Sequence, residues 1–250
     1  MPGYKPQGAL LILFSIMSSI QENLQAVLAR IRSVKIHHGR EGEAVELLAV
    51  SKTFGMEAVI EAAMAGQTAF GENYLQEALD KKQAVQAMRP DLLLKWHFIG
   101  PIQSNKTRLI AEHFDWVHSV EREKIAQRLS AQRPAHLPPL NICLQVNVSG
   151  EASKSGVAPG ELPALAHAVA QMPHLKLRGL MAIPEPETDP EKQRVPFRAL
   201  RNMLQQLNAE GLELDTLSMG MSGDMEAAID EGATIVRVGT AIFGERDYAK

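Results

Sequence analysis

Lys52 follows directly on the apolar run Leu47-Leu48-Ala49-Val50-Ser51. A lysine at the end of a buried strand is partly stripped of water, which favours its neutral amine and makes it a nucleophile toward an aldehyde. The plainer alternative is an ammonium that caps the strand and points to solvent. A second group lies further along, where Met219-Gly220-Met221-Ser222-Gly223-Asp224 leads into the apolar segment Met225–Ile229. Ser222 and Gly223 offer a hydroxyl and backbone N–H groups to an anion. Ser222 or Asp224 acting only as a helix cap would account for the same residues. In Val236-Arg237-Val238-Gly239-Thr240, Gly239 allows a ligand close to the backbone and Thr240 adds a hydroxyl. Arg237 alternates with apolar neighbours and so points into a sheet interior, where it needs a carboxylate, a ring nitrogen or a phosphate as partner. Together these groups suggest lysine chemistry combined with phosphate binding.

Other chemistries lack their residues. The eight histidines form no H-E-x-x-H, and a single cysteine, Cys143, excludes Cys-rich zinc motifs and an intramolecular disulfide. Cys143 reads as a small buried hydrophobe. There is no G-x-G-x-x-G after a strand, no Walker sequence and no G-x-S-x-G. Lys and Arg number 26 against 29 Asp and Glu, a net charge of −3 that gives no general attraction to nucleic acid or anionic lipid. With 45% hydrophobic residues, the 250-residue chain has ample material for a large core.

The elements that must position these groups alternate along the chain. Strands are predicted at Glu46–Ser51, Thr68–Phe70, Lys95–Gly100, Trp116–Ser119, Asn141–Val146, Lys176–Ala182, Thr216–Met219 and Thr234–Val238. Helices are predicted at Met56–Ala65, Leu75–Met88, Lys106–His113, Arg122–Arg133, Pro159–Met172, Glu191–Ala209 and Asp224–Glu231. Eight strands separated by helices read as one (β/α)8 barrel, with an open doubly wound sheet as the rival. In a barrel, Lys52, the Ser222 turn and Gly239-Thr240 all fall at the C-terminal ends of strands, the catalytic face of that fold. Upstream, Ala9–Met17 is too short to span a bilayer. Ser18-Ser19-Ile20-Gln21-Glu22 is read as the N-cap of a helix continuing through Leu24, Val27, Leu28 and Ile31. Met17 is then the natural start, with residues 1–16 an upstream extension and 17–250 one barrel domain.

Several segments also carry a family resemblance. They include Ala49-Val50-Ser51-Lys52-Thr53, Phe70-Gly71-Glu72-Asn73-Tyr74, Trp96-His97-Phe98-Ile99-Gly100 and Gln103-Ser104-Asn105-Lys106. Asn147 through Gly156, Gly179-Leu180-Met181, Leu217 through Ser222 and Arg237 through Gly244 follow in the same order. In these pieces the chain resembles the pyridoxal phosphate homeostasis proteins, which share the barrel type of the alanine racemase N-terminal domain. The resemblance implies that Lys52 holds pyridoxal 5′-phosphate (PLP) as an internal aldimine. It also implies that Ser222, Gly223, Gly239 and Thr240 bind the phosphate, and that Arg237 faces the pyridine nitrogen. Asn73 would lie near the cofactor and Met181 would pack by its ring.

An arginine opposite the pyridine nitrogen only donates, which weakens the ring as an electron sink. Alanine racemase, which tolerates this arginine, has a second base, a tyrosine from a C-terminal β-domain that this chain does not provide. Tyr4, Tyr74 and Tyr248 do not obviously replace it. The expectation is therefore a cytoplasmic, monomeric PLP carrier with little turnover, keeping free PLP low, delivering it to apo-enzymes and influencing amino-acid and keto-acid balance. The alternatives are a PLP-dependent amino-acid racemase, and an aldolase-like barrel whose Lys52 acts on a sugar phosphate without PLP. Lys154 and Lys81-Lys82 could supply a second, looser PLP site, but read as exposed, solvated lysines.

Overall fold

In the computed structural model, residues 8–150 and 155–245 are described, with side chains from residue 19 onward. The parallel strands are β1 (Glu46–Val50), β2 (Ala69–Glu72), β3 (Lys95–Phe98), β4 (Trp116–Val120), β5 (Leu140–Gln145), β6 (Leu175–Met181), β7 (Thr216–Ser218) and β8 (Ile235–Val238). They close in sequential order into a barrel. Closure is made by β8 against β1, in the register Glu46↔Ile235, Leu48↔Arg237 and Ala49↔Val238. An open sheet would leave β1 and β8 unpaired, so the barrel reading holds. The outer helices are α1 (Gly8–His37), α2 (Met56–Met64), α3 (Leu75–Met88), α4 (Thr107–His113), α5 (Glu123–Gln132), α6 (Leu162–Ala170), α7 (Pro190–Ala209), α8 (Met225–Asp230) and the single turn α9 (Thr240–Phe243). Among the described residues no helix is long and apolar enough to cross a membrane.

The two-residue period of the strands divides the core into two layers. Leu47, Ala49, Phe70, Phe98, Val117, Ile142, Leu144 and Val236 pack outward against the helices. Leu48, Ala69, Trp116, Cys143, Met181 and Ile235 form a separate cluster inside the barrel. Each full burial of a large apolar side chain contributes about 1.5–3 kcal/mol, so both faces of the sheet are anchored. At one point the strands approach too closely for any side chain. A Cβ on Gly179 would lie 1.8 Å from the Thr216 carbonyl oxygen across the β6–β7 pair.

Two boundaries differ from expectation in ways that bear on the site. Helix α1 does not begin at Ser18-Ser19 but runs through them from Gly8. The preceding residues are mostly Leu, Ile, Ala and Met, which propagate a helix and contain no breaker. Its buried stripe is Ile20, Leu24, Val27, Ile31 and Val34, and it ties to the end of the barrel through Asn23 Nδ2 donating to the Ile242 carbonyl at 3.1 Å. Strand β2 continues past Phe70 through Glu72, because its register with β3 extends to Glu72↔Phe98 and the Glu72 carboxylate finds buried partners. Helix α6 starts at Leu162 rather than Pro159, since 159–161 form a turn.

Candidate functional site

A cleft of about 280 Å³ opens at the C-terminal ends of the strands. That is close to the lower end of the volumes that hold small ligands, about 300–1,000 Å³. It is lined by Lys52 after β1, Asn73 after β2, the Met221-Ser222-Gly223 turn after β7, Arg237 on β8, and Gly239-Thr240 beyond it. Val50, Ile99 and Ile183 supply apolar walls. Seven of the eight residues singled out from sequence thus meet around one cavity. Met181 does not line it. It is fully buried in the interior cluster with Trp116 and Cys143, and the wall position on that chain segment falls to Ile183, two residues nearer the mouth.

The backbone on both sides of Lys52 is held by a polar cluster that is buried at Ser51, Glu72 and Lys81 and opens to the surface at Thr53 and Glu77. Lys81 Nζ donates to the Ser51 carbonyl at 2.8 Å, and the Ser51 hydroxyl donates to Glu72 Oε1 at 2.6 Å. The Thr53 amide donates to Glu77 Oε1 at 2.6 Å. Lys81 joins the two carboxylates, at 2.7 Å from Glu72 and 3.0 Å from Glu77. Thr53 sits at φ 70°, a left-handed conformation that a β-branched residue adopts only when its surroundings impose it. Burial pushes the Glu72 carboxyl up, opposed by the Lys81 charge and by hydrogen bonds from Lys81 and Ser51. The expectation that Lys81 is solvated is therefore corrected. Its side chain is only 3% exposed, because the helix α3 face that carries it packs on the β1–β2 seam. Lys82 points elsewhere, donating to the His113 carbonyl and lying over the rings of Trp96 and Phe114, with its ammonium pushed down to about 8 by burial. Lys154 lies outside the described residues.

The opposite wall is built from turns that require glycine. Gly220 has φ 93°, and a Cβ there would lie 2.5 Å from the Ala228 Cβ. The turn is closed by the Met221 amide donating to Asp224 Oδ1 at 2.5 Å and by the Arg237 amide donating to the Gly220 carbonyl at 2.9 Å. Asp224 is thus committed to its own turn, while Ser222 and Gly223 line the cleft. Arg30 of α1 braces this turn, donating to the Ser222 carbonyl at 3.4 Å and to Glu226 at 2.9 Å. Across the cleft, a Cβ on Gly239 would come within 3.1 Å of the Val50 carbonyl, so the end of β8 seats tightly beside the residues leading to Lys52.

Arg237 is buried and donates to the Ser218 carbonyl at 2.6 Å, the Ser218 hydroxyl at 2.9 Å and the Ala182 carbonyl at 2.9 Å. These partners are carbonyls and a hydroxyl, not the carboxylate that is the commonest answer for an inward arginine. Burial pushes its guanidinium down to about 10, still well above neutral pH, so it stays charged. Five N–H groups less these three bonds leave donors for a ligand in the cleft. Asn73 supplies the complementary feature. Its Oδ1 is buried without a protein donor, and its backbone is seated by Gly100, where a Cβ would lie 2.2 Å from the Asn73 carbonyl oxygen. A buried acceptor without a partner is costly and marks a place for a donor from outside the protein.

Sequence reasoning missed the walls Ile99 and Ile183 and the supports Ser218, Glu72, Glu77 and Lys81. Ser218 was open to detection, since it falls in the Leu217–Ser222 segment between the apolar Leu217 and Met219. The Lys81 cluster was not, because Glu77 and Lys81, four residues apart on a helix, read equally well as a solvated ion pair. Cys143 is buried as expected, its thiol pushed up to about 12 by desolvation. A second depression, about 610 Å³, lies near the N-terminal ends of β3 and β4, and a third, about 440 Å³, between the Pro184–Glu187 segment and α7. Neither brings Lys52 or Arg237 to its surface. Among the described residues no group of His, Cys, Asp and Glu could hold a metal ion.

Comparison with known proteins gives a consistent picture. The family model described as "Alanine racemase, N-terminal domain" matches residues 23–247. A protein of Pseudomonas aeruginosa named pyridoxal phosphate homeostasis protein is 66% identical over 232 residues, covering 93% of this chain and 98% of that protein. The structure of PipY from Synechococcus elongatus with PLP bound superposes with a TM-score of 0.78 at 37% identity, covering 90% of this chain and all of that one. Alanine racemase from Corynebacterium glutamicum shares the fold alone, with a TM-score of 0.66 at 18% identity, 90% of this chain matching 60% of that one.

Proposed function

Since the chain belongs to the pyridoxal phosphate homeostasis family, whose fold is the alanine racemase N-terminal barrel, we propose that it is a PLP carrier, binding the cofactor at Lys52 and releasing it to apo-enzymes. The observation that carries this reading is the meeting of Lys52, Asn73, Ser222, Gly223, Arg237, Gly239 and Thr240 around one cleft. The residues fit the group. Ser222, Gly223, Gly239 and Thr240 form the phosphate end, Arg237 has donors left for a ring nitrogen, and the buried Asn73 amide oxygen lacks a protein partner. When bound, PLP supplies an aldehyde that a lysine amine captures covalently and a ring that withdraws electrons.

The remaining chemistry belongs to the chain's own side chains. The Lys81–Glu72–Glu77 cluster fixes the backbone flanking Lys52, so the amine is presented from a rigid base. Arg237 holds its protons, so an acceptor opposite it gains a hydrogen bond but no positive charge. The walls Val50, Ile99 and Ile183 limit water at the amine. Among the described residues the ionisable side chains lining the cleft are Lys52 and Arg237. Tyr74 is 55% exposed and not among them, while Tyr4 and Tyr248 lie outside the described residues. This lining supports holding the cofactor rather than moving a proton on both faces of a substrate, and the reading includes a monomer acting in the cytoplasm.

The test is to incubate the PLP-loaded protein with L-alanine in deuterated water and, separately, with an apo-transaminase. The carrier reading predicts activation of the apo-enzyme and negligible deuterium at the alanine α-carbon. Rapid deuterium uptake would favour the racemase alternative, whose physical basis is the shared barrel.

A further inference from the structure

Beneath the cleft, the barrel interior holds a continuous polar chain that binding at Lys52 does not require. Arg237 Nη1 donates to Ser218 Oγ at 2.9 Å, Ser218 Oγ lies 2.8 Å from His118 Nδ1, and His118 Nε2 lies 2.9 Å from His97 Nδ1. The chain crosses the barrel from β8 and β7 to β4 and β3. All four side chains are buried, and His97 stacks on Trp116 with ring planes 4° apart.

The donor inventory fixes the first bond and selects, for the rest, the tautomers that leave the fewest groups unpaired. A guanidinium only donates, so Ser218 Oγ accepts from Arg237. Pointing its single hydroxyl proton at His118 Nδ1 keeps that proton hydrogen-bonded, whereas accepting a second bond from His118 would leave it undirected. A neutral His118 therefore carries its proton on Nε2 and donates to His97 Nδ1, which leaves the His97 proton on its own Nε2. That last nitrogen has no protein partner. Two imidazoles and an arginine cost more to bury than an apolar filling of the same volume. What the chain achieves is orientation. It fixes which hydrogen bonds the Ser218 hydroxyl makes, and with the Ser218 and Ala182 carbonyls it fixes the guanidinium plane.

We propose that His118, supported by His97 and acting through Ser218, is a positioning residue that aims Arg237 at the ring nitrogen of bound PLP. The inference rests on the carrier reading of the cleft. It predicts an effect confined to ligands that possess that nitrogen.

The experiment compares PLP with its carbocyclic analogue, in which the ring nitrogen is replaced by C–H, on the full-length wild type, His118→Leu, His118→Gln and Ser218→Ala. His118→Leu is expected to weaken PLP binding about 3–10-fold, the net worth of a hydrogen bond, and to leave the analogue's Kd unchanged. His118→Gln, whose amide both accepts and donates, should restore PLP binding. If His118→Leu fails to fold, Ser218→Ala breaks the chain with a smaller change and should show the same selectivity. Equal weakening of both ligands, or no weakening of either, would overturn the proposal. Failure of the wild type to bind PLP at all would instead remove the carrier reading beneath it. A second readout needs no cofactor. Nitrogen-15 spectra of the apo-protein should show both rings as Nε2–H tautomers, and an Nδ1–H tautomer at His118 would contradict the chain's direction.

Discussion

The two interior histidines make the stability of this barrel fall with acid in a window where most proteins change little. Burial pushes His97 down to about 3, with the Lys95 charge adding to it, and holds His118 well below its ordinary value, with His97 and Arg237 adding to the effect. In the unfolded chain both rings take up protons near pH 6.5. A depressed folded value means that their contribution is complete above pH 6.5 and is lost as pH falls from there toward about 3. For a ring that stays neutral in the fold, the loss between pH 7 and 5 is set by the unfolded value alone. It comes to about 2 kcal/mol per ring, or about 4 kcal/mol for the pair. That is a large part of the ordinary 5–15 kcal/mol. The raised carboxyls of Glu61 and Glu72 act in the opposite sense, so the histidine effect is best read as a difference. Urea unfolding of wild type and His118→Gln between pH 6 and 5 should give slopes differing by about 1.2 kcal/mol per pH unit, with the wild type steeper. Parallel slopes would mean that His118 is not held neutral in the fold, as would a His118 resonance that titrates near pH 6.

Three further outcomes follow from the packing around the cleft. Gly100→Ala drives a methyl into the Asn73 carbonyl, so unfolding measurements should show a loss of about 1–3 kcal/mol and titration should show weaker PLP binding. Lys81→Met leaves Glu72 buried without its ammonium. Urea denaturation should record a loss of about 3–5 kcal/mol, and the rate at which PLP is captured should fall because Ser51 loses its anchor. Gly220→Ala combines a positive φ with a Cβ that meets Ala228, and it should weaken inorganic phosphate as a competitor of PLP while costing about 1–3 kcal/mol in stability.

Much of the architecture was open to reading because the strands are nearly continuous apolar runs and the intervening helices are periodic. The order of the elements then implied closure, which the Leu48↔Arg237 register confirms. The cleft residues were legible because a barrel sends the residues that follow its strands to one face, so Lys52, Asn73, Ser222 and Gly239 converge from four separate strands. Met181 was misplaced by depth rather than by direction. It lies inside the barrel, but a residue within the strand falls short of the mouth that Ile183 reaches. The start of α1 was misread because a Ser-Ser-x-x-Glu pattern resembles a cap wherever it occurs, and only the continuity of the helix from Gly8 decides the matter. The supports stayed hidden for a different reason. The bonds of Lys81 to Ser51, and of His118 to Ser218, join residues 30 and 100 positions apart, and no local pattern encodes such pairs.

The carrier proposal turns on Lys52 being the amine that takes hold of PLP. Its most direct test is borohydride reduction of the PLP-loaded protein followed by peptide mass mapping, with Lys52→Ala alongside. One phosphopyridoxyl group is expected on the peptide containing Lys52, and its loss in the variant. A label on another lysine such as Lys82 in the wild type, or no label after loading with excess PLP, would contradict it.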